Sequence, residues 1–145
     1  MKIALACDHG AFELKNVLVK KLSVLEGLTV VDMGIFEPIS VDYPDLAKKL
    51  CQAILAQEVD RGILLCGTGL GMSMAANRFA GIRAALCHDG FTARLSRQHN
   101  DANVLVLGGR TTGVAVAEEI VSIWLTESFQ AGRHQRRIEK LELER

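Results

Sequence analysis

Apolar residues recur along this chain in short blocks of strand length, separated by longer stretches with helical spacing. Residues 3–7 form the first block, and Leu14, Leu18, Leu22 and Leu25 follow at intervals of four, four and three, the stripe of an amphipathic helix. Residues 28–33 read as a second strand, followed by Gly34 and a loop to Asp42 bracketed by the only prolines, Pro38 and Pro44. Pro44 suits a first helical turn, with Leu46, Leu50, Ile54 and Leu55 as the next helical face. The alternation continues with a strand at 62–66, a glycine-rich turn, a helix at 72–79, a strand at 83–87 and a helix at 91–97. A strand at 103–107 and an apolar-faced helix at 114–125 complete it.

Five strands separated by helices predict an α/β fold: a three-layer, Rossmann-like α/β/α domain spanning 1–145, with a five-stranded parallel sheet. The continuous apolar runs at 63–65 and 104–107 fit strands buried on both faces. Residues 132–145 differ: a charged terminal helix with only Ile138, Leu141 and Leu143 as apolar contacts, expected to pack on the body or on a partner chain. No repeat or low-complexity stretch interrupts the pattern.

Composition narrows the function. The 17 basic and 17 acidic residues cancel, which excludes a nucleic-acid or acidic-membrane binder held by bulk charge. Hydrophobic residues at 49% and charged ones at 23% suit a compact globule, and no apolar run is long enough to span a membrane. The N-terminus shows no cleavable signal pattern, so a cytoplasmic address is expected. Cys7, Cys51, Cys66 and Cys87 lack CxxC spacing and are expected to be reduced thiols.

Ligands of open parallel sheets bind beyond the carboxyl ends of the strands. The strands there run into Cys7-Asp8-His9-Gly10, Cys66-Gly67-Thr68-Gly69, Cys87-His88-Asp89-Gly90 and Gly108-Gly109-Arg110, with His99-Asn100-Asp101 just before strand five. Most of the thiols and imidazoles are therefore expected along one edge. The stretch 66–73 sits at a strand-to-helix transition, where glycines let amides turn toward an anion. It is neither a dinucleotide fingerprint, because Met72 stands where the third glycine would fall, nor a P-loop, because the Gly-Lys-Ser/Thr end is missing. A turn made only for tight strand–helix packing is the alternative. Cys66 adds a candidate base or nucleophile, since a thiol facing a helix N-terminus has its thiolate favoured; a buried structural cysteine is the alternative.

Cys7-Asp8-His9-Gly10, Asp42-Tyr43-Pro44, residues 66–71, Ala75-Ala76-Asn77, residues 96–103 and Gly132-Arg133-His134, in this order and spacing, resemble ribose-5-phosphate isomerase type B. The resemblance covers essentially the whole chain. It implies interconversion of aldose and ketose phosphates through an enediolate, without a metal or other cofactor. It also implies Cys66 as the proton-moving base, and Thr68 with amides of 67–73, among them Gly67, Gly69, Gly71 and Ser73, as the oxyanion cradle. His99 would open the furanose ring, Asp8 would contact hydroxyls or the ring oxygen, and Asn100 would hold the oxyanion or a hydroxyl.

His9, Arg110, Arg133 and Arg137 are the implied phosphate ligands. Arg133 and Arg137 lie one helical turn apart and can converge on one dianion; a solvated face paired with Glu139 and Glu142 is the plain alternative. The resemblance further implies a homodimer with shared active sites, in which the terminal helix and the His99 loop complete a partner's Cys66 site, and allows further pairing to a tetramer. In one branch of the family an acidic base stands where this chain has Met72, so the thiol version is expected here. Galactose-6-phosphate isomerase divides the motifs between two chains, whereas Cys66, His99, Arg133 and Arg137 all lie in this one. Allose 6-phosphate is a further candidate substrate, and a phosphosugar sensor without turnover is the non-enzymatic alternative. His88 reads as a solvent-facing or capping residue and His134 as support for the helix start. No ligand spacing specifies a metal cluster from His9, His88 and His99.

Overall fold

A computed structural model describes residues 1–142, and Leu143 lies outside the described residues. The elements follow as β1 (Lys2–Cys7), α1 (Phe12–Leu22), β2 (Thr29–Asp32), α2 (Tyr43–Leu55), β3 (Arg61–Cys66) and α3 (Leu70–Ala76). Then come β4 (Ala84–Leu86), α4 (Gly90–Gln98), β5 (Val104–Gly108), α5 (Val114–Thr126) and α6 (Arg133–Glu142). All strand pairs are parallel, in the order β2-β1-β3-β5-β4. From β1 the chain moves outward to β2 on one side, and from β3 it builds the other side. The topological switch therefore falls between β1 and β3, and ligands of open parallel sheets bind beyond the strand ends at such a point.

The sheet is buried on both faces, and alternate strand residues feed two cores. Leu5, Ile63, Leu65, Leu105 and Leu107 pack with Leu14 and Leu18 of α1, Ala93 of α4 and Trp124 of α5. Ala4, Ala6, Leu64, Cys66, Val104 and Val106 pack with Leu50 and Cys51 of α2 and Met72 of α3. The helical stripes hold with local adjustments. Leu25 lies beyond α1 and is exposed, and Leu55 is exposed at the end of α2, where Ala47 and Cys51 join Leu50 and Ile54 on the buried face. On α6, Ile138 is buried and Leu141 is exposed. None of the described helices is long and apolar enough to cross a membrane.

Polar side chains complete what the short strands leave open. The Asn77 carboxamide accepts from Ala84 N–H at 2.9 Å and donates to Ala84 O at 2.8 Å, while Asn103 accepts from Arg83 N–H at 2.8 Å. The edge strand β4 is thus held by two asparagines as well as by β5. Lys15, 1% exposed, donates from Nζ to Asp32 Oδ2 at 2.6 Å beneath the rings of Phe12 and Phe36. That buried ion pair fixes the loop after β2 against α1.

Candidate active site

Cys66 is the last residue of β3, at the switch point. It is buried, and the N–H of Gly69 donates to its Sγ at 3.1 Å. Gly69 meets that sulfur because the turn bends back at φ 78°, a left-handed conformation that favours glycine. The loops on either side close down to backbone contact. A Cβ on Gly10 would stand 3.0 Å from Gly67 N and Cα, and one on Gly109 would stand 2.6 Å from Ala11 Cα. Gly109 N–H donates to Cys66 O at 2.8 Å and Arg110 N–H to Gly67 O at 2.9 Å, so the loop after β5 is tied to the turn after β3.

The turn's donors are unequally available. The Ser73 N–H is committed to Gly69 O at 3.0 Å, so the expectation that it faces an anion does not fit; only its hydroxyl is left for that purpose. The amides of Gly71 and Met72, in the first turn of α3, have no protein acceptor among the described residues. α3 has only seven residues, so these individual N–H groups, more than a helix dipole, supply the local positive potential. The Thr68 side chain is exposed beside them.

Asp8 is buried at the end of β1, and its Oδ1 accepts from Gly10 N–H at 2.8 Å. His9 follows it, exposed, in a short 3-10 turn. The Arg110 side chain lies over Gly67, its Nε 3.5 Å from where a Cβ would stand. Asp8, His9, Cys66, Gly67, Thr68, Gly69, Gly71, Ser73 and Arg110 therefore share the carboxyl edge of the sheet. Tyr43, at the start of α2, joins them: its ring would be 2.6 Å from a Cβ on Gly71. Sequence reasoning gave Tyr43 no role, although it stands in the Asp42-Tyr43-Pro44 motif that carries the family resemblance.

The expectation of one shared edge fails for the remaining residues. α4 leaves the carboxyl end of β4 and returns to the amino end of β5, so His99 and Asn100 lie at the opposite edge from Cys66. Hydrogen bonds confirm this placement, since Arg83 at the start of β4 donates from Nε to Asn100 O at 3.1 Å. α6 lies at that edge too, with Glu142 paired to Arg83 Nη1 at 3.3 Å. The two edges are separated by the length of β3, on the order of 15 Å at the usual rise per residue.

At the amino edge, Arg133 and Arg137 are exposed, and among the described residues neither has an ion-pair partner. Glu139 accepts from Gln135 and Glu142 pairs with Arg83, so neither acid neutralises the two arginines. His134 is buried and stacks on His99, the ring centroids 4.1 Å apart and the planes 8° from parallel. Burial, then the charges of His99, Arg133 and Arg137, holds the His134 imidazole below its ordinary range. The sequence read it only as support for the helix start, within the Gly132-Arg133-His134 motif. His88, by contrast, is exposed, and Asp89 beside it caps α4 through a reciprocal bond pair with Thr92.

Cys7, Cys51 and Cys87 are also free and buried. Burial pushes Cys51 up to about 12 and Cys7 up to about 11, the latter partly offset by the Ile35 backbone and Lys15. Burial likewise raises Cys87, against hydrogen bonds from Ser96 and Thr92.

Comparison with known proteins agrees with this fold. Residues 3–141 match the family model described as Ribose/Galactose Isomerase. The chain is 49% identical over 140 residues to ribose-5-phosphate isomerase B of Escherichia coli, covering 97% of this chain and 93% of that one. It is 42% identical over 143 residues to the D-erythrulose-4-phosphate isomerase of Pectobacterium atrosepticum, covering 97% and 93%. The solved structure of ribose-5-phosphate isomerase B from Clostridium thermocellum superposes with a TM-score of 0.96 at 48% identity, covering 99% of this chain and 96% of that one. With a family model spanning nearly its whole length and close relatives in both sequence and structure, the chain belongs to the ribose/galactose isomerase family.

Proposed function

We propose that this protein interconverts ribose 5-phosphate and ribulose 5-phosphate, using Cys66 as the base in a site completed by a second copy of the chain. The observation that carries the reading is the Cys66 sulfur at the β1/β3 switch point, held by the Gly69 N–H under a turn with unused amides. In the acyclic aldose, Cys66 takes the proton from C2, electrons move onto the carbonyl oxygen at C1, and a cis-enediolate forms. The Thr68 hydroxyl and the Gly71 and Met72 amides stabilise the oxyanion. Cys66 then returns the proton to C1, and hydroxyl-proton exchange between O1 and O2 leaves the ketone at C2. No net oxidation occurs, so the step needs no external electron acceptor.

Ribose 5-phosphate enters as a furanose, which opens when a group removes the O1 proton and the ring oxygen is protonated. His99 is assigned that work, with Asp8 and Asn100 on the hydroxyls. The separation of the two edges within one chain supports a homodimer in which His99, Asn100, Arg133 and Arg137 of one copy face Cys66, Asp8, His9 and Arg110 of the other. Exposed Leu70 and Phe91, at 54% and 65%, stand in the first turns of α3 and α4 at the Cys66 edge and suit burial against such a copy. Free thiols fit a reducing compartment, and a cytoplasmic enzyme is the matching location.

Replacing Cys66 with Ala is expected to abolish isomerisation of ribose 5-phosphate, a loss of roughly a hundredfold or more, with an unchanged circular-dichroism spectrum. A Cys66→Ala protein with full turnover contradicts the assignment. The likeness to a four-carbon ketose phosphate isomerase supports a second substrate, and relative kcat/KM on four-, five- and six-carbon phosphates decides between them.

A further inference from the structure

The His99–His134 stack is built by one chain, independently of any partner. Glu127, in the linker before α6, accepts from Arg94 Nε at 3.0 Å and from Gln98 Nε2 at 2.7 Å. Gln130 N–H donates to Gln98 O at 3.0 Å, so the linker is laced to the last turn of α4, immediately before His99. On the far side, Arg83 binds Asn100 O and Asp101 O, both at 3.1 Å, and reaches Glu142 of α6. Asp101 also holds Arg97 Nη1 at 2.8 Å and adopts a positive φ of 44°, fixing the bend after His99. Two braces thus hold α6 against the His99 loop, and the nearly parallel rings are their point of contact.

We propose that His134 is a positioning residue for ring opening: its buried ring lies flat on His99 and fixes the plane in which His99 transfers protons between O1 and the ring oxygen. This rests on the reading of His99 as the ring-opening group. His99 is half-buried, with its backbone N–H donated to Leu95 O at 2.9 Å. None of the hydrogen bonds among the described residues holds its imidazole, so the stack is what restrains that ring. The charged groups facing the pair are Arg133 and Arg137 on the terminal helix, and they and burial disfavour a proton on His134. Positioning is the kind of contribution that ring stacking suits, because a small misorientation of a proton-transfer group costs up to about a hundredfold in rate.

The test compares His134→Phe, which keeps a flat ring, with His134→Ala and His134→Leu, which do not. In wild type, the His99 ring-proton resonances are shifted upfield by the neighbouring ring current; the shift persists in the Phe variant and vanishes in the other two. On ribose 5-phosphate, Ala and Leu lower kcat by roughly ten- to a hundredfold with little change in KM, and Phe restores most of it. Erythrose 4-phosphate cannot close a furanose because its O4 carries the phosphate, so its turnover falls much less in all three variants. Full ribose 5-phosphate turnover in Ala or Leu, equal losses on both sugars, or Phe no better than Ala overturns the proposal. If wild type acts on ribose 5-phosphate alone, the kcat-against-KM split and the Phe rescue decide. If one truncation fails to fold, the other and the Phe resonances still decide. Wild type inactive on both sugars instead overturns the isomerase reading.

Discussion

Each candidate base owes its protonation to its immediate surroundings. Burial alone holds Cys51 near 12, and burial against partial compensation holds Cys7 near 11, so neither thiol loses its proton at neutral pH. Cys66 differs in its place, at the carboxyl end of β3 under the glycine turn, where the Gly69 N–H donates to its sulfur. His134 shows the opposite case of a base whose charge the fold disfavours. Its folded value lies below the ordinary 6.5, so below that pH the unfolded chain binds more protons than the folded one. His134 therefore contributes fully to stability above 6.5, and that contribution is lost as the pH falls through and below it. Urea unfolding of wild type and His134→Phe at about pH 7.5 and about pH 5.5 is expected to show wild type losing ground to the variant at the acid pH. Parallel pH dependence in the two proteins would refute this.

At the scale of elements, the site is made by loops that approach one another through glycines. The loop after β5 lies on the loop after β1 at Gly109, where a side chain would meet backbone, with no flexible group to move aside. Gly109→Ala is expected to destabilise the protein by about 1–3 kcal/mol and to depress turnover, because Gly109 also anchors Cys66 O. Thermal unfolding paired with the isomerase assay checks both effects, and an unchanged midpoint would contradict the packing argument. The strand and helix alternation was legible in the sequence because doubly buried strands read as continuous apolar runs and Leu14, Leu18 and Leu50 keep helical spacing. The boundaries moved where capping decided them, as at α4, which Asp89 starts at Gly90. The residues at 66–71 were legible because glycine at a strand end has few other uses. Tyr43 and His134 stood in resemblance motifs, but their contacts were not legible, since each meets a residue distant in sequence, Gly71 and His99.

Across the whole molecule, zero net charge coexists with Arg133 and Arg137, unpaired among the described residues, at one edge and a thiol at the other. The motifs all lie in one chain, and grouping His99 with the strand ends missed its edge because the linear order of motifs does not show which way a helix returns across a sheet. The family resemblance instead implied that the His99 loop and the terminal helix serve a partner's site. α4 and α6 bring His99, Arg133 and Arg137 to the amino edge, the length of β3 from Cys66. At that distance, the proposed site needs two copies, the thiol edge of one joined to the histidine edge of the other. Co-expression of Cys66→Ala chains with His99→Asn chains tests it most directly. Each variant alone is inactive on ribose 5-phosphate, while every mixed dimer contains one site with both wild-type residues. Random pairing then restores about a quarter of wild-type activity for two shared sites per dimer. Mixed dimers that form and remain as inactive as either parent would place Cys66 and His99 of the same chain in each site and contradict the account.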